Sequence, residues 1–157
     1  MSVTDRAYQS LLSTLGLLKQ AMEPHFARFG ISRPQWGVLA VLSRAEEKGQ
    51  DGLHLHDLGE RLLIRPPSVT GVVDRLEREG LVTRRKTEGD RRVRRVRLTP
   101  AGRALRKRLL AIHARQIQKV MGGLDAREQA KLAKLLDQLG AHLRAVISPA
   151  RTKSKES

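Results

Sequence analysis

Leu11, Leu15, Leu18 and Met22, with Leu12 beside them, recur at three- and four-residue spacing. That period predicts an amphipathic helix over residues 4–29 with a buried stripe, and Gly30 supplies its stop. Ser32 can cap a second helix with Pro34 in its first turn, running to about Glu47 and burying Trp36, Leu39, Ala40 and Leu42. The polar, glycine-punctuated stretch from Glu46 to Gly52 reads as a loop. A short extended piece, Leu53–Leu55, leads into a brief helix at His56–Leu62. Pro66 then pushes Arg65 out of helical geometry, so a new helix can begin only there. Two prolines are tolerated in a first turn, because those amides lack an intrahelical partner. Val69, Val72, Val73 and Leu76 give this helix one buried face, and Gly80 ends it. A short helix, a tight turn and a second helix make a helix-turn-helix.

The period then changes from helical to alternating. Val96 and Leu98 interleave with Arg95, Arg97 and Thr99, as in a half-buried strand. Leu81–Lys86 and Val93–Thr99 are the predicted arms of a β-hairpin whose tip spans Thr87 to Arg92, with Glu88-Gly89-Asp90 as turn residues. Pro100 opens a long helix to about residue 121 with Leu105, Leu109 and Ile112 on one stripe, and Gly122-Gly123 breaks it. Asp125 and Glu128 form a capping-box pattern for a last helix carrying Leu132, Leu135, Leu136, Leu139 and Leu143. The expected fold is mainly α with a small β-wing: a winged helix-turn-helix flanked by long N- and C-terminal helices. One domain over residues 1–147 is expected. Within it, 53–100 is the winged lobe, and 4–29 with 101–147 are the flanking helices. A disordered basic tail is expected over 148–157.

Charge sharpens this picture. The 157-residue chain carries 31 Lys and Arg against 16 Asp and Glu, a formal net charge of +15. The excess is concentrated: residues 81–110 hold 12 basic residues and two acids, whereas 51–80 hold four and six. A solubility role predicts mixed charge throughout, and a polyanion-binding surface predicts one patch. Arg84, Arg85, Lys86, Arg91, Arg92, Arg94, Arg95 and Arg97 crowd one hairpin and repel one another unless something anionic neutralises them. A narrow minor groove is such a partner. On the preceding helix, a step of about 100° per residue sets Pro67, Gly71, Asp74 and Arg78 opposite the buried face, with Ser68, Thr70 and Arg75 flanking. Arg75 suits guanine, Ser68 and Thr70 suit bases or phosphates, and Gly71 permits close backbone approach to the groove. Arg65, at the helix start, suits a phosphate. In the wing, Arg85, Arg91, Arg92 and Arg94 are the candidate contacts, with Asp90 pinning a neighbouring arginine by a charge-assisted hydrogen bond.

Other chemistries find little support. The chain has no cysteine, which removes disulfides and thiolate chemistry. His25, His54, His56, His113 and His142 belong to no nucleophile motif, phosphate loop or helix-borne metal pair. His54 and His56 with Asp57 are a sparse metal set, better explained by a strand-edge His54 and a helix-capping His56. No catalytic residue, metal or cofactor is expected, and the chain is read as a non-enzyme. RNA binding calls for aromatic stacking platforms, yet Tyr8, Phe26, Phe29 and Trp36 all lie outside the basic hairpin. A membrane-surface role calls for a basic amphipathic helix, not a hairpin. With no signal peptide and no run of about 20 apolar residues, the expected location is cytoplasmic and no membrane partner is expected. The rival to a sequence-specific regulator is a non-specific basic nucleic-acid-binding protein without effector response.

The run Ile64–Gly80, then Leu81-Val82-Thr83-Arg84, Asp90-Arg91-Arg92 and Val96-Arg97-Leu98-Thr99-Pro100-Ala101-Gly102, closely resembles the MarR (multiple antibiotic resistance regulator) family over roughly residues 5–145. The resemblance implies a homodimer whose helical dimerisation layer comes from interlocked N- and C-terminal helices, 4–29 and 101–147. It makes 53–100 the DNA-binding lobe, with a recognition helix from about Pro66 to Glu79. It also implies a minor-groove Arg92 oriented by Asp90. The implied partner is double-stranded DNA with a palindromic operator. A small anionic or phenolic effector would bind between the dimer layer and the DNA-binding lobe, near which Trp36, His25 and Arg28 are expected. Two departures stand out. Arg65 occupies a position where members often carry a capping Ser, Thr or Asp, and the peroxide-sensing branch needs a cysteine this chain lacks.

Overall fold

The computed structural model describes residues 1–62, 66–87 and 90–153, with side chains described at all of these except 66–67, 86–87, 90–93 and 149–153. The elements run α1 (Val3–Arg28), α2 (Arg33–Glu47), α3 (Leu55–Leu62), α4 (Pro66–Arg78), β1 (Val82–Thr87), β2 (Asp90–Leu98), α5 (Pro100–Met121) and α6 (Ala126–Lys153). They group into two compact units, residues 1–116 and 117–157. The order is that of a winged helix with long flanking helices.

Local chemistry sets the helix starts. Ser2 and Asp5 cap α1 reciprocally, the Asp5 amide donating to Ser2 Oγ at 3.0 Å and the Ser2 amide to Asp5 Oδ2 at 3.1 Å. Ser32 and Gln35 do the same for α2 at 3.2 and 2.8 Å. The second helix is the centre of the first unit. Trp36, Val38, Leu39, Ala40, Val41, Leu42 and Ala45 are all buried, so it is enclosed on nearly every side. Val69, Val73 and Leu76 of α4, Leu58 of α3, and Val82, Val96 and Leu98 of the hairpin complete that core.

The hairpin is antiparallel, pairing Val82 with Leu98, Arg84 with Val96 and Lys86 with Arg94, and its register shifts between Lys86 and Thr87. β2 begins at Asp90, so Asp90, Arg91 and Arg92 belong to the strand rather than to the tip loop the turn residues suggested. The strand reaches this far because pairing resumes at Thr87 and Asp90 after the register shift that follows Lys86 and Arg94. Glu88 and Gly89, the remainder of the expected turn, lie outside the described residues. Leu53 adds one rung on the far edge of β2, its amide donating to the Val96 carbonyl at 3.0 Å and its carbonyl accepting the Val96 amide at 2.8 Å. Gly52 makes that approach possible. It has φ +75°, and a Cβ there would lie 2.7 Å from both Arg97 Cγ and the Val96 carbonyl oxygen.

The wing is joined to α5 without slack. Thr99 Oγ1 donates to the Gly80 carbonyl at 2.6 Å and accepts the Gly102 amide at 3.1 Å, while the Thr99 amide donates to the Leu81 carbonyl at 3.1 Å. A Cβ on Gly102 would sit 2.1 Å from the Leu81 carbonyl oxygen, so only glycine fits. Thr99-Pro100-Ala101-Gly102 is thus a cap, a first-turn proline and a close crossing in four residues.

Two expectations need correction. The α1 stripe Leu11, Leu12, Leu15 and Leu18 is 39–47% exposed in the single chain, because only Met22 and Phe26 near its C-terminus have core to pack against. The last helix continues to Lys153 instead of giving way to a disordered tail at Ser148. Extending an established helix costs far less than starting one, and Ala145 and Ala150 favour it against the interior Pro149, which lacks an amide donor. Residues 154–157 lie outside the described residues. In the second unit, α6 opens on the Asp125–Glu128 capping box, with the Glu128 amide donating to Asp125 Oδ1 at 2.8 Å. Among the described residues, no helix is long and apolar enough to cross a membrane.

Candidate nucleic-acid interface

With Val69, Val73 and Leu76 buried, α4 leaves Ser68, Thr70, Gly71, Arg75 and Arg78 exposed. Gly71 has open space around it: a Cβ there would meet no atom within 4 Å. Nothing inside the protein therefore requires glycine at this position. Arg65, the expected phosphate contact at the start of this helix, lies outside the described residues.

Asp74 is differently placed from its expected role on the reading face. It is half-buried and accepts a hydrogen bond at 2.5 Å from Nη2 of Arg84, whose side chain is only 17% exposed. Glu77, one turn further along α4, accepts the Arg84 backbone amide at 3.1 Å and lies 3.7 Å from its Nη1. The register explains this inward turn, since Arg84 shares its face of the hairpin with Val82, Val96 and Leu98. Arg97, on the opposite face, pairs with Asp51 at 2.7 Å, and Arg95 reaches the Gly52 carbonyl at 3.5 Å. Arg85 and Arg94 are exposed. Among the described residues, the hairpin's arginines therefore divide into Arg84 and Arg97, held by acids, Arg95, which reaches a carbonyl, and Arg85 and Arg94, which are exposed. Asp90, Arg91 and Arg92 have their backbone in β2, and their side chains lie outside the described residues.

Behind α4 is an open cavity of about 530 Å³ between α1, the start of α2 and α4, lined by Lys19, Phe26, Ser32, Gln35, Arg75 and Glu79 among others. Arg75 thus borders both the cavity and the exposed face of its helix. A second cluster lies where α1, α2 and α5 meet. His25 Nε2 and His113 Nδ1 are 3.1 Å apart, Trp36 packs on His113 with ring centroids 4.8 Å apart, and Arg106 lies over Trp36 at 5.1 Å. Burial holds both imidazoles below the ordinary histidine pKa, helped by Arg28 at His25 and by His25 and Arg106 at His113. Sequence reading placed Trp36 and His25 together but missed His113 and Arg106, which a helical period cannot bring across 88 residues. Arg28 instead lies over Phe29, 5.7 Å from the ring centroid.

The histidines of the weighed metal set are placed differently from one another, and the buried His54 Nδ1 has no hydrogen-bond partner among the described residues. The His54 carbonyl accepts from the Leu58 amide at the start of α3, and His56, inside that helix rather than capping it, pairs with Glu60 at 3.3 Å. Among the described residues, no group of three His, Asp or Glu side chains could hold a metal ion.

The family model described as MarR family matches residues 29–93, the stretch from the end of α1 into the wing. The homoprotocatechuate degradative operon repressor of Escherichia coli is 32% identical over 115 residues, covering 73% of this chain and 74% of that protein. The chain belongs to the MarR family. Among solved structures, the MarR family regulator AbsC of Streptomyces coelicolor matches with a TM-score of 0.80 and 23% identity over 92% of this chain and 97% of that one. An organohalide-sensing regulator in its 2,4-dichlorophenol bound form matches with a TM-score of 0.79 and 20% identity, over 90% and 82%. MarR-family proteins are DNA-binding transcription regulators rather than enzymes, and this one has their winged helix.

Proposed function

We propose that this MarR-family regulator is a repressor that binds a palindromic operator as a homodimer and is released by a small anionic or phenolic effector. The observation that carries the reading is the pairing of two outward surfaces, the Ser68, Thr70, Gly71 and Arg75 face of α4 and the exposed Arg85 and Arg94 of the hairpin beside it. The helix would enter a major groove, with Arg75 reading a base edge, while the wing, including Arg91 and an Arg92 steadied by Asp90, follows the adjacent minor groove. Arg65 would contact phosphate at the helix start. The exposed leucines of α1, and Leu135, Leu136, Leu139 and Leu143 of α6, support a second copy, since apolar stripes of that extent are ordinarily covered. On that reading α1, α5 and α6 form the dimer layer, and residues 53–100 form the DNA-binding lobe.

The effector reading is supported by Arg75 bordering a cavity large enough for a small aromatic acid or phenol. An occupant that favours a dimer with wrongly spaced recognition helices would release DNA. Selection from random duplex DNA at physiological salt tests the reading. The expected product is an inverted repeat with half-sites about 34–36 Å apart, held by two copies of the chain. Adding homoprotocatechuate or 2,4-dichlorophenol to that complex tests release. A strict monomer that holds selected and random duplexes equally would overturn the regulator reading in favour of non-specific nucleic-acid binding.

A further inference from the structure

The two acids on the hairpin side of α4 are both engaged by one residue. Asp74 takes the guanidinium of Arg84, and Glu77 takes both its backbone amide and, at longer range, its other Nη. These contacts join the recognition helix to the base of the wing across only seven and ten residues of sequence. Arg84 stands opposite Val96, which is fully buried and in turn holds Leu53. The guanidinium is therefore held through its two Nη atoms by the acids, while its buried Nε has no hydrogen-bond partner among the described residues. A charged hydrogen bond from a planar guanidinium constrains direction as well as distance.

We propose that Arg84 is a positioning residue for DNA reading: through Asp74 and Glu77 it fixes the offset between α4 and the wing. It would thereby set the phase between what a helix reads in the major groove and what an arginine-bearing wing meets in the next minor groove. The same pairing neutralises two carboxylates beside a surface that must approach phosphates. Arg84 in this role contacts no DNA, and Asp74 reads no base. The proposal rests on the DNA-reading function above.

The experiment uses the full chain, the operator obtained by selection, and operators with one base pair inserted between the helix-read core and the wing-read flank. The parent protein is expected to lose at least tenfold in affinity on insertion. Arg84→Met and Asp74→Asn are expected to lose only about twofold to threefold, because an unclamped wing tolerates either phase, and Arg84→Lys is expected to fall between. The salt dependence of Arg84→Met should equal the parent's, whereas loss of one phosphate contact lowers the slope by about 0.9. A slope lowered by that amount, or an insertion penalty unchanged in both variants, overturns the proposal. So does a change of preference at a single base pair in Asp74→Asn alone, which would make Asp74 a base reader.

A DNA-free arm separates this proposal from the function it rests on. The chain has no native cysteine, so spin labels at Arg78→Cys and Arg94→Cys report the helix-to-wing distance directly. A narrow distribution that broadens with Arg84→Met supports the clamp even if no operator is ever selected. Equal widths sink it, whatever the DNA result.

Discussion

Arg84 and Arg85 are neighbours in one strand and belong to opposite parts of the molecule. Arg84 faces the core side of the hairpin, is mostly buried and is tied to two acids of α4, while Arg85 faces out and is exposed. Arg97 and Arg94 reverse the faces: Arg97, on the outer face with Arg85, is held by Asp51, while Arg94, on the face of Arg84, is exposed. A count of basic residues in a wing therefore overstates what the wing offers to a polyanion. The positions of nearby carboxylates, not strand parity alone, divide structural arginines from available ones.

The contrast makes testable demands on both sets. Arg84→Ala should cost about 1–2 kcal/mol in denaturant unfolding, the value of charged hydrogen bonds reduced because both acids are partly exposed. Arg85→Ala should move the unfolding midpoint hardly at all, and equal losses for the two would erase the distinction. Gly71→Ala on the reading face should go the other way, stabilising the fold by up to about 1 kcal/mol through helix propensity while weakening operator binding. A Gly71→Ala protein that binds DNA as well as the parent would remove close approach as the reason for glycine there.

For the exposed set, Arg85→Ala and Arg94→Ala should each lower the salt slope by about 0.9, or roughly threefold in affinity across a fourfold salt change, on any duplex. An effect confined to one sequence would make either residue a base reader. The smallest expected effect concerns cations kept out of the interior. His25 and His113 have folded pKa values below the ordinary 6.5, so between those values and 6.5 the unfolded chain binds more protons. Stability should be fully present above pH 6.5 and decline as pH falls toward the folded values. His113→Phe should flatten that decline, and an unchanged pH profile would show that the pair does not link protonation to folding.

The helices were legible because caps and apolar spacing are local: Ser32, Pro34 and the Asp125–Glu128 box mark their elements within a few residues. The exposed face of α4 was legible for the same reason, since period alone turns Ser68, Thr70, Gly71 and Arg75 outward. Asp74 shows where this runs out. Helical period gives its face but not its partner, which comes from a strand ten residues later. Yet a signal was available in Arg84, which shares strand parity with Val82 and follows two acids spaced three apart on the helix. The exposure of the α1 leucines was not legible, because a hydrophobic stripe predicts that something covers it without saying whether the cover lies in the same chain.

The single rung between Leu53 and Val96 has a consequence for how the molecule behaves in a crowded solution. Two-stranded sheets present free amides and carbonyls to any passing extended segment. Here the inner stretch of β2 already has its neighbour, and Gly52 lets that neighbour approach so closely that no third strand can slip between them. Farther out, the exposed Arg85 and Arg94 discourage stacking of like hairpins by mutual repulsion. The protein thus guards itself against fibril-like association with one glycine at the root and positive charge toward the end.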